Sequence, residues 1–174
     1  MYSTSPQKAR RACAGVFSSE RSRQMPYTED DPNEIAVPVH RGAHIADPGP
    51  LGLAAFALTT FILSCANAGF ISSKAEAAVF GVALFYGGLT QLAAGMWEFL
   101  KGNVFGATAF SSYGAFWLSF WYLVTYATED MGEDRHIGVG IFLLAWTLFT
   151  VYMWFASTQI STALFVTFTV LLIA

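Results

Sequence analysis

The sequence predicts an all-α, polytopic membrane protein, and three observations carry that prediction. It is 55% hydrophobic and only 12% charged over 174 residues, against about 25% charged in a soluble domain. Its charges are segregated: Met1–Pro50 holds twelve of the twenty-one, and no Asp, Glu, Lys or Arg follows Arg135. The remainder falls into apolar runs, most of membrane-crossing length, separated by short polar breaks. Helices suit such runs because each satisfies its own backbone hydrogen bonds in lipid. The expected organisation is a polar, disordered tail over residues 1–46 and a transmembrane domain over residues 47–174.

The tail mixes Ser, Pro, Arg and acidic residues with no sustained period. Arg10 and Arg11 precede an apolar run too short for an export signal. His40 and His44 have helical zinc-ligand spacing, but Gly42 lies between them and no third ligand is regularly spaced nearby. Cys13 and Cys65 suggest neither a disulfide framework nor a metal pair. No metal and no cofactor are therefore expected.

The first span is expected over residues 50–71. Asp47 is placed to cap it, and Pro48 and Pro50 suit a first turn, where a missing N–H costs nothing. Phe56, Thr60, Ser64 and Asn67 recur on one face of this helix. The second span, 77–98, carries Gly81, Gly88 and Gly95 seven apart, with Leu84, Gln91 and Glu98 three residues after each. Small residues on one face let a neighbouring backbone approach, so Gln91 and Glu98 are expected between helices. Polar groups held there read as functional, although Glu98 also fits a solvated position at the membrane edge beside Lys101. The third span, 105–127, has a polar stripe that includes Ser111 and Ser112, bordered by an aromatic stripe with Tyr113. An acidic loop precedes the fourth span, 137–156. A polar break at Ser157–Thr162 precedes the fifth, 163–174, which would rise only about 18 Å of the roughly 30 Å needed. The fifth helix is thus expected to be incomplete.

Two stretches carry a resemblance. Tyr86–Trp117, YGGLTQLAAGMWEFLKGNVFGATAFSSYGAFW, and Asp47–Leu53, DPGPLGL, resemble the signatures of the acetate uptake transporter family, the succinate–acetate permease type. The second stretch has Asp47 where the family motif carries Asn. The resemblance implies a six-helix bundle, of which this chain holds about five, as a C-terminally truncated member would. It implies a hexameric homo-oligomer in the plasma membrane. It also implies a narrow constriction formed by Phe56, Tyr113 and Leu171, with Val170 as the alternative to Leu171. Asp47, Pro48, Pro50, Thr60, Asn67, Gln91, Glu98, Ser111 and Ser112 are then candidates for the polar path or its motifs.

The residues themselves suit small carboxylates. Hydroxyls, amides and helix N-termini can compensate an anion without a fixed cation, and no Lys or Arg falls in a spanning segment. The sequence has no GxSxG, HExxH or paired-cysteine signature, so no enzyme is expected. Six basic residues in the tail place the N-terminus on the cytoplasmic side. The expected function is proton-linked or channel-like passage of acetate and related carboxylates such as succinate, with protons and the lipid bilayer as partners and no nucleic acid. An ammonia or ammonium export channel and a non-transporting sensor or assembly subunit are the alternatives.

Overall fold

A computed structural model describes residues 44–173 except Ser73 and Glu76, all within the unit Val39–Ala174. The tail assignment, Arg10, Arg11, Cys13 and His40 lie outside the described residues. Five principal helices follow in order: α1 (Gly49–Asn67), α2 (Ala77–Lys101), α3 (Val104–Tyr122), α4 (Arg135–Ser157) and α5 (Thr162–Ile173). Each expected span corresponds to one of them, and the ends differ for local reasons. Helix α1 stops at Asn67, four residues early, where the chain passes Gly69 at φ 72°. Helix α2 runs three residues further than expected, to Lys101, and ends at Gly102 with φ 77°. That left-handed residue is the usual glycine helix stop. The extension moves Glu98 from the end of the span to one turn inside it.

Asn103 opens α3, its Oδ1 accepting from the Gly106 N–H at 3.1 Å. The Asp47 Oδ1 accepts from the Gly49 N–H at 3.0 Å in the first turn of α1, but the N-cap position itself belongs to Pro48, which makes no side-chain cap bond. Pro50 sits in that turn, as expected.

Helix α2 is not a uniform α-helix. Residues Ala83–Thr90 form a π-helical stretch, and the Thr90 hydroxyl donates across it to the Phe85 carbonyl at 2.8 Å. The wider turn shifts the register, which corrects the expected glycine seam. Gly81 is exposed and a Cβ there would meet nothing within 4 Å, whereas Gly87, Gly88 and Gly95 all face neighbouring atoms. A Cβ on Gly95 would press on Ser111, with its backbone N at 2.6 Å. Reciprocally, one on Gly114 would stand 2.6 Å from the Leu92 N. Helices α2 and α3 are therefore in near backbone contact, as small residues permit in lipid.

Helix α3 is the centre of the bundle, with Gly106, Ala107, Ala109, Phe110, Tyr113, Gly114 and Trp117 all buried. Among the described residues, three helical stretches are long and apolar enough to cross a membrane: Gly49–Asn67, Ala77–Lys101 and Gly132–Ser157. Helix α3 is not among them, although it has 19 residues. A helix screened from lipid by its neighbours can carry serines, glycines and tyrosines that a lipid-facing one cannot. Helix α4, by contrast, buries only Thr150, Met153 and Ser157 and leaves Ile141, Leu144, Leu148, Tyr152 and Phe155 exposed, as lipid contact requires.

Helix α5 pairs with α4. The Trp154 indole N–H donates to the Thr169 hydroxyl at 2.8 Å across this pair. Thr169→Val is expected to lower stability by about 0.5–1 kcal/mol, the usual scale for one hydrogen bond between membrane helices. An unchanged unfolding midpoint in detergent would show that the bond contributes nothing.

Candidate functional site

Among the described residues, two cavities share part of their walls. The first, about 220 Å³, is bordered by Asp47 just before α1, Phe56 from α1, Gln91 and Glu98 from α2, Asn103 at the cap of α3, Tyr113 from α3, and Phe168 and Leu171 from α5. The second, about 250 Å³, is bordered by Phe56, Thr60, Tyr113, Trp117, Trp146, Thr150 and Leu171, among others. Three residues belong to both walls: Phe56, Tyr113 and Leu171. The Phe56 and Tyr113 rings are 5.3 Å apart between centroids and inclined at 60°. Leu171 packs against the buried cluster of Ala109, Tyr113, Met153 and Phe168. These three side chains form an apolar partition between the two spaces. Val170, the alternative to Leu171, is 61% exposed and borders neither.

Tyr113 is held from several sides. Phe149 and Phe168 lie 5.5 and 6.2 Å from its ring centroid, and its hydroxyl is 3.0 Å from the Thr150 Oγ1. The Thr150 hydroxyl donates to the Trp146 carbonyl at 2.9 Å. A threonine has one hydroxyl proton, so Tyr113 is the donor in the first bond.

Glu98 is only 2% exposed and borders the first cavity. Its Oε2 accepts from the Asn103 amide at 2.9 Å. Its Oε1 would be 3.5 Å from a Cβ on Gly49, and Asp47 Oδ1 3.1 Å from the same point, so the two carboxylates are neighbours. The Lys101 ammonium is directed to the Ile45 carbonyl at 3.1 Å. Gln91 is 1% exposed and its Oε1 has no hydrogen-bond partner.

The remaining sequence candidates divide. Thr60 borders the second cavity, its Oγ1 without a partner. Pro48 is buried and Pro50 exposed at the α1 entrance. Asn67 is exposed at the far end of α1 and borders neither cavity. Ser111 and Ser112 border a separate groove with Trp146 and Phe149, outside the partition, and Ser111 packs on Gly95. Sequence reasoning missed Asn103 and Thr150. Asn103 was signalled by its place between Gly102 and the apolar run of α3, three residues before Gly106, a helix-start pattern. Thr150, one hydroxyl in an apolar run, gave no signal. Among the described residues, no group of three or more His, Cys, Asp or Glu side chains could hold a metal ion.

Comparison with known proteins identifies this architecture. The chain is 47% identical over 126 residues to accumulation of dyads protein 2 of Saccharomyces cerevisiae, covering 69% of this chain and 44% of that one. It is 44% identical over 133 residues to acetate permease A of Emericella nidulans, covering 71% and 45%. The chain thus spans less than half the length of these two relatives. A solved structure described as that of the bacterial acetate channel SatP superposes with a TM-score of 0.65 at 34% identity, covering 72% of this chain and 68% of the other. Residues 31–174 match the GPR1/FUN34/yaaH family. This helical membrane protein belongs to the GPR1/FUN34/yaaH family.

Proposed function

We infer that the protein passes acetate and related small carboxylates such as succinate across the plasma membrane, with protons accompanying them. The observation that carries this reading is the pair of cavities divided by Phe56, Tyr113 and Leu171. Each cavity has room for a molecule of a few heavy atoms and offers isolated polar groups among apolar walls. The partition is the constriction: three apolar or aromatic side chains that a small acid can displace and a hydrated ion cannot. The names of acetate permease A and the acetate channel support the substrate class. The chain is a transport protein and not an enzyme. Its N-terminal tail, residues 1–46, lies in the cytoplasm, and residues 47–174 are the membrane domain. The assembly is a homo-hexamer.

The test is uptake of labelled acetate by vesicles containing the full chain, with unlabelled competitors. Propionate and succinate are expected to displace acetate, and methylammonium to leave it unchanged. Displacement by methylammonium alone would favour an ammonium channel. No protein-dependent uptake would favour a sensor or assembly subunit.

A further inference from the structure

The first cavity reaches the protein surface at one end. Asp47, Asn103 and Ile160 are exposed residues in its wall, drawn from the approach to α1, the α2–α3 turn and the α4–α5 turn. Residues 44–48, a stretch outside any helix, form one edge of this mouth through Asp47. Two opposed forces act on that edge. Asp47 Oδ1 and Glu98 Oε1 lie against the same point, 3.1 and 3.5 Å from where a Cβ on Gly49 would stand. Ionised carboxylates so close repel each other, and the burial of Glu98 strengthens the repulsion by lowering the local dielectric.

One long-range bond opposes it. The Lys101 ammonium donates to the Ile45 carbonyl at 3.1 Å, across 56 residues of sequence. Lys101 stands three residues past Glu98 on α2, yet it does not border the cavity. Its charge is directed instead to the backbone two residues before Asp47, in a hydrogen bond strengthened by that charge. Among the described residues, no other hydrogen bond joins residues 44–48 to α2, α3, α4 or α5. The bond from the Gly49 N–H to Asp47 stays within the approach to α1, so it moves with the edge and cannot hold it. We propose that Lys101 is a positioning residue for the mouth of the first cavity. By holding Ile45 it keeps Asp47 beside Glu98 against their repulsion, and its release lets residues 44–48 swing out and widen the entrance. Of the other groups at the mouth, His44 is exposed within the held segment, and α5 and the turn before it contribute the uncharged Leu164 and Ile160. The role concerns access to the cavity that the transport reading uses, and it can fail while that reading stands.

The experiment reads access directly. Ala109 borders the first cavity and is 6% exposed, so the Ala109→Cys thiol reports on entry into it. A water-soluble methanethiosulfonate is added to the full chain in detergent at about pH 8, well above the ordinary carboxylate range. Peptide mass spectrometry then follows the label at residues 109 and 65. Cys65 borders neither cavity and is the internal reference. Lys101→Met is expected to speed labelling at residue 109 by about tenfold or more, the scale of one hydrogen bond from a charged group, with Cys65 unchanged. Lys101→Arg keeps the charge and its N–H donors and is expected to label at the parent rate. Asp47→Asn added to Lys101→Met is expected to slow labelling again, because the repulsion is gone while an oxygen remains for the Gly49 N–H. A parent rate in Lys101→Met overturns the proposal. So does fast labelling that Asp47→Asn fails to slow, or a rise at Cys65 in step with residue 109. Either result would mean that Lys101 supports the fold at large and does not oppose the carboxylates. Acetate uptake is measured separately, and its absence in the parent protein would sink the transport reading without touching this one.

Discussion

Gly95→Leu is expected to abolish folded protein, with material lost on extraction into detergent before any transport assay. A Cβ at this position would lie 2.6 Å from the Ser111 backbone N and 3.0 Å from its Cα. These are backbone atoms of the central helix, so no side-chain rotation relieves the overlap. A leucine would have to drive α2 and α3 apart, and α3 carries the buried Tyr113 and Trp117. Ordinary overpacking costs about 1–3 kcal/mol, and a backbone contact with no slack lies at or beyond the upper end. Gly81→Leu is the internal control, since nothing lies within 4 Å of its Cβ position. It is expected to give normal yield. Monodisperse protein at normal yield from Gly95→Leu would refute the close α2–α3 contact.

Phe56→Ala is expected to join the two cavities and relax the choice of substrate. The ring forms one side of the partition and packs on Tyr113 at 5.3 Å. Its removal leaves Tyr113 and Leu171 facing an opening wider by most of a benzene ring. Steric fit of this kind discriminates by roughly tenfold to two-hundredfold. Uptake of a four-carbon diacid relative to acetate should therefore rise by about tenfold or more. The measurement is the ratio of the two uptake rates, normalised to protein in the membrane. If both rates fall together, in proportion to protein abundance, Phe56 is a packing residue and the partition lies elsewhere.

The sequence singled out both rings through motif matches: Tyr113 lies inside Tyr86–Trp117, and Phe56 stands three residues after Asp47–Leu53. Leu171 had no such motif and was reached only through its position in the last helix. Ser111 and Ser112 lie in the Tyr86–Trp117 match and border a groove outside the two cavities, where Ser111 packs on Gly95. Glu98 was ambiguous because a carboxylate three residues before a lysine reads as a surface pair. The Asn103 cap and the Lys101 bond to Ile45 separate them.

The sequence by itself determined that the chain is helical and membrane-embedded, and the order in which the five helices of the described residues follow one another. Those properties follow from hydropathy, charge placement and local stop and start signals, each set by neighbouring residues. Only the tertiary structure decided which side chains meet. The π-helical stretch at Ala83–Thr90 breaks the seven-residue period, so Gly81 turns outward while Gly87 turns in. The Tyr113–Thr150 bond spans 37 residues, and Phe56, Tyr113 and Leu171 come from three different helices. Periodicity fixes a face within one helix only as long as the turn is regular. Which face a neighbour covers depends on how closely the backbones approach, and here glycines on α2 and α3 set that distance.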